Sequence, residues 1–197
     1  MYSAEDKVFI VATGWSLKGF DFDRLKGRNV IAVNEAACYC EFDYSVVIDT
    51  EITMLKKNVQ HRIPFLAKKP LISHHIPTIE TPFNVIVMEY SGSEGFEFEH
   101  NKVRTAGNSG YMAINAAYHL GAKNVYLLGF DLGLSPEGEK YFYDAVDSKG
   151  VHPDYLHKNY FYNTMARDIK DSGFNVYNCS KFSKLEAFKK IDLCSIL

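Results

Sequence analysis

Asp131 stands in Gly129-Phe130-Asp131-Leu132-Gly133, directly after the apolar run Val125–Leu128. Flanking glycines allow close backbone approach, so this carboxylate could accept from a nucleobase, a ribose hydroxyl or a hydrated metal. An Asp in an ordinary turn is the alternative. A second set, Arg104-Thr105-Ala106-Gly107-Asn108-Ser109-Gly110, runs straight into a helix-patterned segment. Unpaired amides of a first helical turn, with the helix dipole, hold anions. Ser109 adds a hydroxyl and Arg104 a permanent charge, with Asn108 and Gly110 in the same loop. This loop is the strongest phosphate-binding signal in the chain.

Three weaker sets follow other strand-like runs. In Thr13-Gly14-Trp15-Ser16, Gly14 permits a tight turn and Ser16 can cap a short helix or donate to a phosphate oxygen, with Thr13 beside them; a plain strand-to-helix turn is the alternative. Ala12 and Trp15 occupy positions where a G-x-G-x-x-G dinucleotide fingerprint needs glycine, which excludes that fingerprint. Asn34 can donate and accept in fixed geometry at a strand end, or form an Asx turn. Asp49 could hold a divalent cation or cap the helix after it. Beyond residue 140 come Tyr141, Phe142, Tyr143, Tyr155, His157, Tyr160 and Tyr162. Their hydroxyls could neutralise a leaving phosphate, with His157 as general base near neutral pH. Aromatic pinning of a loop is the structural alternative. The histidines at 61, 74, 75, 100, 119 and 152 show no metal-ligand spacing with carboxylates.

These residues need strands to carry them. Val8–Ala12, Val30–Val33, Ser45–Ile48, Val85–Met88 and Val125–Leu128 are nearly continuous apolar runs, as expected of strands covered on both faces, and Asn175–Tyr177 is a last short strand. Helices are expected over Ile52–Val59, Ser109–Leu120 and Leu156–Lys170. Residues 61–83, with their prolines and the His74-His75 pair, read as irregular chain with at most an edge strand. Alternation of strands and helices implies an α/β fold, a Rossmann-like domain spanning residues 1–197 with a mostly parallel twisted sheet and helices on both faces. Residues 133–156 lack periodicity and read as a lid or as disorder.

With 197 residues, 47% hydrophobic and 23% charged, the chain has ordinary globular composition. A net charge of −2 gives no global attraction to nucleic acid or anionic lipid. No run is long enough to span a bilayer. Cys38, Cys40, Cys179 and Cys194 lack zinc-site spacing and read as reduced thiols of a cytoplasmic protein.

The order of these motifs resembles glycosyltransferase family 42, the bacterial sialyltransferases, and the related 6-hydroxymethylpterin pyrophosphokinase MptE-like domains. The stretch Ala12-Thr13-Gly14-Trp15-Ser16-Leu17-Lys18 looks like the family's opening G-x-G-P-S-L-K, with Ala12 and Trp15 departing from it. Asn34, then Asn108-Ser109-Gly110-Tyr111-Met112, then Val125–Asp131 and Val176–Ser180 follow in the family's order. The resemblance implies a transferase using a CMP- or other nucleotide-activated sugar without a required metal. Ser109 and Asn34 would then bind nucleotide, Tyr141 would face phosphate and His157 would be the base. The kinase-like branch would place Asp49, and with it Mg2+, beside ATP. A third reading is a nucleotide- or phosphate-binding module without catalysis, since fold does not fix function. A homo-oligomer is compatible with all three.

Overall fold

The computed structural model describes residues 1–3, 6–48, 69–74, 84–143 and 155–197, with Tyr155 and Leu156 described by backbone alone. Eight parallel strands form the main sheet. The chain enters at its centre with β1 (Lys7–Val11) and steps outward through β2 (Asn29–Val33), β3 (Tyr44–Val46), β4 (Leu71–Ser73) and β5 (Val85–Val87). After the small parallel pair β6 (Glu89–Gly92) and β7 (Lys102–Arg104) comes helix α1 (Ser109–His119). The chain then returns to the other side of β1 with β8 (Asn124–Leu128), and continues through α2 (Tyr155–Ile169), β9 (Asn175–Asn178) and β10 (Lys189–Lys190). Strand order therefore reverses between β1 and β8, which run side by side from Lys7–Asn124 to Val11–Leu128.

Alternation along these strands divides the core in two. Val8, Ile10, Ile31, Val33, Val125 and Leu127 pack with α1 and α2, while Phe9, Val11, Val30, Ala32 and Leu128 form the opposite cluster. That second face is covered by 3-10 turns carrying Leu17, Leu25, Ala36 and Ala37, and by the C-terminal residues Leu193, Ile196 and Leu197. Both faces are dry, so the strands read as unbroken apolar runs. The fold is α/β and Rossmann-like; among the described residues, α1 and α2 pack on one face of the sheet and 3-10 helices on the other.

β6, β7 and β10 lie where no strand was expected, and two further elements differ in their setting. β4 is internal, hydrogen-bonded between β3 and β5, although a prolyl residue precedes it. Pro70 lies just outside the strand, where its missing N–H costs nothing and its carbonyl accepts from the Ser45 amide at 3.0 Å. Helix α1 buries every residue from Ser109 to Ala117 rather than one stripe. Its one amide side chain, Asn115, is satisfied inside: Oδ1 accepts from the Arg104 and Glu97 amides, and Nδ2 donates to the Glu97 carbonyl. Helix Ile52–Val59, most of residues 61–83 and the distal part of the 133–156 segment lie outside the described residues. No described helix is long and apolar enough to cross a membrane.

Candidate functional site

A cleft of about 300 Å³ opens at the carboxyl ends of β1, β2 and β8. This is the switch point where open α/β sheets receive ligands. Thr13, Gly14, Asn34, Asn108, Ser109, Gly110, Asp131 and Tyr141 all line it, so most of the sequence-expected site residues converge on one place. Three non-glycine residues on its loops hold left-handed backbone: Asn34 (φ 51°), Ala106 (φ 46°) and Leu132 (φ 45°). Such conformations cost about 1–3 kcal/mol each and concentrate at ligand clamps.

The floor is built by close approach. The Gly14 amide donates to the Gly129 carbonyl at 3.0 Å, and a Cβ on Gly14 would overlap that oxygen and Asp131 Oδ2. Glycine stands here for space, since its φ of −64° is open to any residue. Asp131 is 3% exposed. Its Oδ2 accepts from the Ser16 amide at 2.8 Å, while Oδ1 is buried with no hydrogen-bond partner among the described residues. Burial pushes the carboxyl above its usual range, opposed by the Ser16 hydroxyl and amide and by Ser180. Ser180 accepts from the Gly129 amide at 3.0 Å and lies 3.3 Å from the Ser16 hydroxyl, joining the end of β9 to the first loop.

The start of α1 lines the same cleft. Asn108 caps it: Oδ1 accepts from the Tyr111 amide at 3.0 Å and from the Tyr162 hydroxyl at 3.2 Å. Asn108 thus shapes the site by holding the helix start, its carbonyl oxygen already engaged. The Ser109 and Gly110 amides donate to no acceptor among the described residues, as the first turn of a helix requires. Ser109 Oγ accepts from the Ile48 amide at 3.1 Å, which leaves its own proton for another acceptor. A Cβ on Gly110 would meet the Phe130 ring at 2.8 Å, so the helix seats directly on the turn carrying Asp131.

Three expected residues, Ser16, Arg104 and His157, lie outside the lining. The Ser16 amide instead holds Asp131 Oδ2, and its hydroxyl bonds Ser180. Arg104 does not line the cleft; its guanidinium donates to the Glu94 carbonyl and lies 3.7 Å from the Glu97 carboxylate. It braces the loop before β7, not an anion in the cleft. His157 is exposed, its ring edge-on to Phe161 at 4.8 Å, outside the cleft lining. Its neighbour Lys158 lines the cleft instead, together with Lys140 and Tyr162. Helical phase carries the signal that would have found Lys158: it lies four residues from Tyr162, which is buried beside Met165 in the core. His157 lies on the neighbouring stripe with Phe161. Tyr141 is held to the first loop by an antiparallel bridge to Gly14, and the Phe142 amide donates to the Thr13 carbonyl at 3.2 Å. Asp49 lies outside the described residues. Among the described residues no group of His, Cys, Asp and Glu could hold a metal, and the four cysteines are free thiols.

No protein-family profile and no curated protein matches the chain. Three solved chains share its fold. The MAf glycosyltransferase from Magnetospirillum magneticum AMB-1 superposes with a TM-score of 0.68 at 20% identity, covering 99% of this chain and 34% of that one. This chain therefore spans about a third of that protein. The sialyltransferase CstII from Campylobacter jejuni, in complex with the substrate analogue cytidine-5'-monophosphate, gives 0.57 at 19% identity over 96% of this chain and 86% of that one. A second CstII structure, with CMP-3FNeuAc, gives 0.52 at 16% identity, over 94% and 86%.

Proposed function

We propose that this chain is a glycosyltransferase-like domain that binds a nucleotide-activated sugar, of the CMP-sugar type, and transfers the sugar to an acceptor hydroxyl. The observation that carries the reading is one cleft at the carboxyl ends of β1, β2 and β8, lined by the start of α1 and by Asp131. The Ser109 and Gly110 amides donate to no described acceptor, and Ser109 Oγ, which accepts from the Ile48 amide, keeps its own proton. A nucleotide phosphate is the complement of those donors. Likeness to glycosyltransferases crystallised with CMP and a CMP-sugar analogue supports the same choice.

In the transfer step the bond between the anomeric carbon and the phosphate oxygen breaks as the acceptor oxygen bonds to that carbon. Charge grows on the departing phosphate, where α1, Lys158 and the Tyr141 hydroxyl stabilise it. The acceptor proton passes to a base. His157, on the first turn of α2 and next to the cleft-lining Lys158, is that base in this proposal, although its ring lies outside the lining.

Calorimetric titration of CMP, UDP, ADP and ATP, each with magnesium and with EDTA, tests the reading. CMP is expected to bind equally in both conditions. Ser109→Ala should weaken it about tenfold or more, a charge-assisted hydrogen bond being worth about 1.5–3 kcal/mol. Arg104→Ala should leave affinity unchanged, and His157→Ala should abolish turnover while preserving affinity. Binding of ATP alone, dependent on magnesium, would move the chain to a kinase-like activity. Failure of all four nucleotides would end the transferase reading.

A further inference from the structure

Three tyrosine rings stack in series, and the last of them lines the cleft. Tyr39 and Tyr143 lie with centroids 5.2 Å apart and planes 25° from parallel, and Tyr143 and Tyr141 follow at 5.5 Å and 16°. Phe142 stands edge-on to Tyr39 at 4.9 Å and to Tyr143 at 5.1 Å, and its ring is 5.3 Å from that of Phe22. Phe22 and Phe142 in turn pack on the apolar cluster beneath the 3-10 turns, which ties the stack to the sheet. Tyr141 belongs to the cleft lining; Tyr39, Phe142 and Tyr143 do not.

The stack joins two loops that both contribute to the cleft. Tyr39 closes the 3-10 turn Asn34–Cys38, which begins at cleft-lining Asn34 in its left-handed backbone. Tyr141 comes from the segment after β8. Pairing with Gly14, and the Phe142 amide on the Thr13 carbonyl, fix where that segment crosses the first loop. The ion pair Lys18–Glu139 crosses beside it at 2.7 Å, but its lysine is 64% exposed and such a pair contributes little. Backbone pairing does not set a side-chain angle; a ring packed flat on Tyr141 bears on it directly.

From this juxtaposition we propose that Tyr39, Phe142 and Tyr143 are positioning residues for Tyr141. The stack clamps the segment after β8 to the turn after β2, and so holds Tyr141 in the orientation that offers its hydroxyl to phosphate. The role rests on the nucleotide reading. Rings that served the fold alone would raise stability and leave affinity untouched. Rings that aim a cleft residue change affinity through that residue, because a misplacement of about 1 Å is enough to lose an aligned contact.

The full chain is compared with Tyr39→Ala, Tyr39→Phe, Tyr141→Phe and the double variant Tyr39→Ala/Tyr141→Phe. CMP is titrated by calorimetry, and hydrogen exchange at the Phe142 amide is followed without ligand. Tyr39 is 38% exposed, so its truncation spares the core. Tyr39→Ala should weaken CMP binding about tenfold and speed exchange at Phe142, and Tyr39→Phe, which keeps the ring, should restore both. Tyr141→Phe should also weaken CMP about tenfold, and the double variant should be no weaker than Tyr141→Phe, since Tyr39 acts through Tyr141. Parental CMP affinity in Tyr39→Ala, no rescue by Tyr39→Phe, or full additivity in the double variant would each overturn the positioning role. Unchanged exchange in Tyr39→Ala would overturn the clamp itself. No CMP binding by the parent, with exchange still responding to Tyr39→Ala, would overturn the nucleotide reading and the positioning role with it, while the clamp stood.

Discussion

Asp131 has given up almost all of its water while keeping one oxygen without a donor, an arrangement that favours the neutral acid. A carboxyl whose folded pKa is raised contributes stability below its unfolded pKa and loses it as pH rises through the folded value. Asp131→Asn removes the desolvated charge, so the variant should be more stable than the parent at neutral pH. The difference should vanish in acid, below the ordinary carboxylate range, and urea melts at several pH values measure it. The same variant should bind nucleotide about tenfold more weakly under the proposed function, since it alters a residue of the cleft lining. A variant equally stable across the pH range would mean that the carboxyl is not strained by burial. Gly14→Ala should cost about 1–3 kcal/mol through overlap with Gly129 and Asp131, read by chemical denaturation. Residues at strand ends were legible in the sequence, because an apolar run followed by small and polar types marks both a strand's end and a ligand's place. Lys158 was not, because its inward direction depends on the rotation of α2, and motif order says nothing of rotation.

At the scale of elements, the start of α1 is held by one side chain acting twice. Asn108 caps the Tyr111 amide and also receives the hydroxyl of Tyr162, a buried group whose pKa burial drives far upward. Asn108→Ala should therefore lower stability by about 1–2 kcal/mol for the cap, and further for the orphaned hydroxyl. Tyr162→Phe in the Asn108→Ala background should recover the second part, a coupling that a double-mutant cycle resolves. The helix itself was legible over Ser109–Leu120, against an observed Ser109–His119, although Asn108 was read as a ligand contact and not as its cap. What stayed hidden was its total burial, since Asn115 reads as a surface residue until the loop at Glu97 and the strand at Arg104 close over it. Arg104 was misplaced for the same reason: a cation near an anion-binding loop looks like part of it, yet its partners Glu94 and Glu97 come from the preceding loop. Short strands were the least legible. β4 has three residues, too few to show a period, and its place inside the sheet is fixed by pairing with β3 and β5.

On the scale of the whole molecule, the cleft gathers loops from both directions of the sheet. Asn34 and Ile48 arrive from the side of β2 and β3, Asp131 and Tyr141 from the side of β8, and α1 closes between them. A ligand held by both walls must be released before those halves separate, so binding energy appears in global stability. At a hundredfold excess over Kd, a ligand of the native state alone adds about 2.7 kcal/mol. For a chain of 197 residues that corresponds to a rise in Tm of about 5–10 °C. The rise should grow with the logarithm of CMP concentration and show a single cooperative transition throughout, followed by calorimetry. In Ser109→Ala and Asp131→Asn the same concentrations should give smaller rises, because each removes a contact from one wall. A ligand that raised Tm in both variants as much as in the parent would be binding outside the cleft, and the convergence of strand ends on that point would then serve the fold alone.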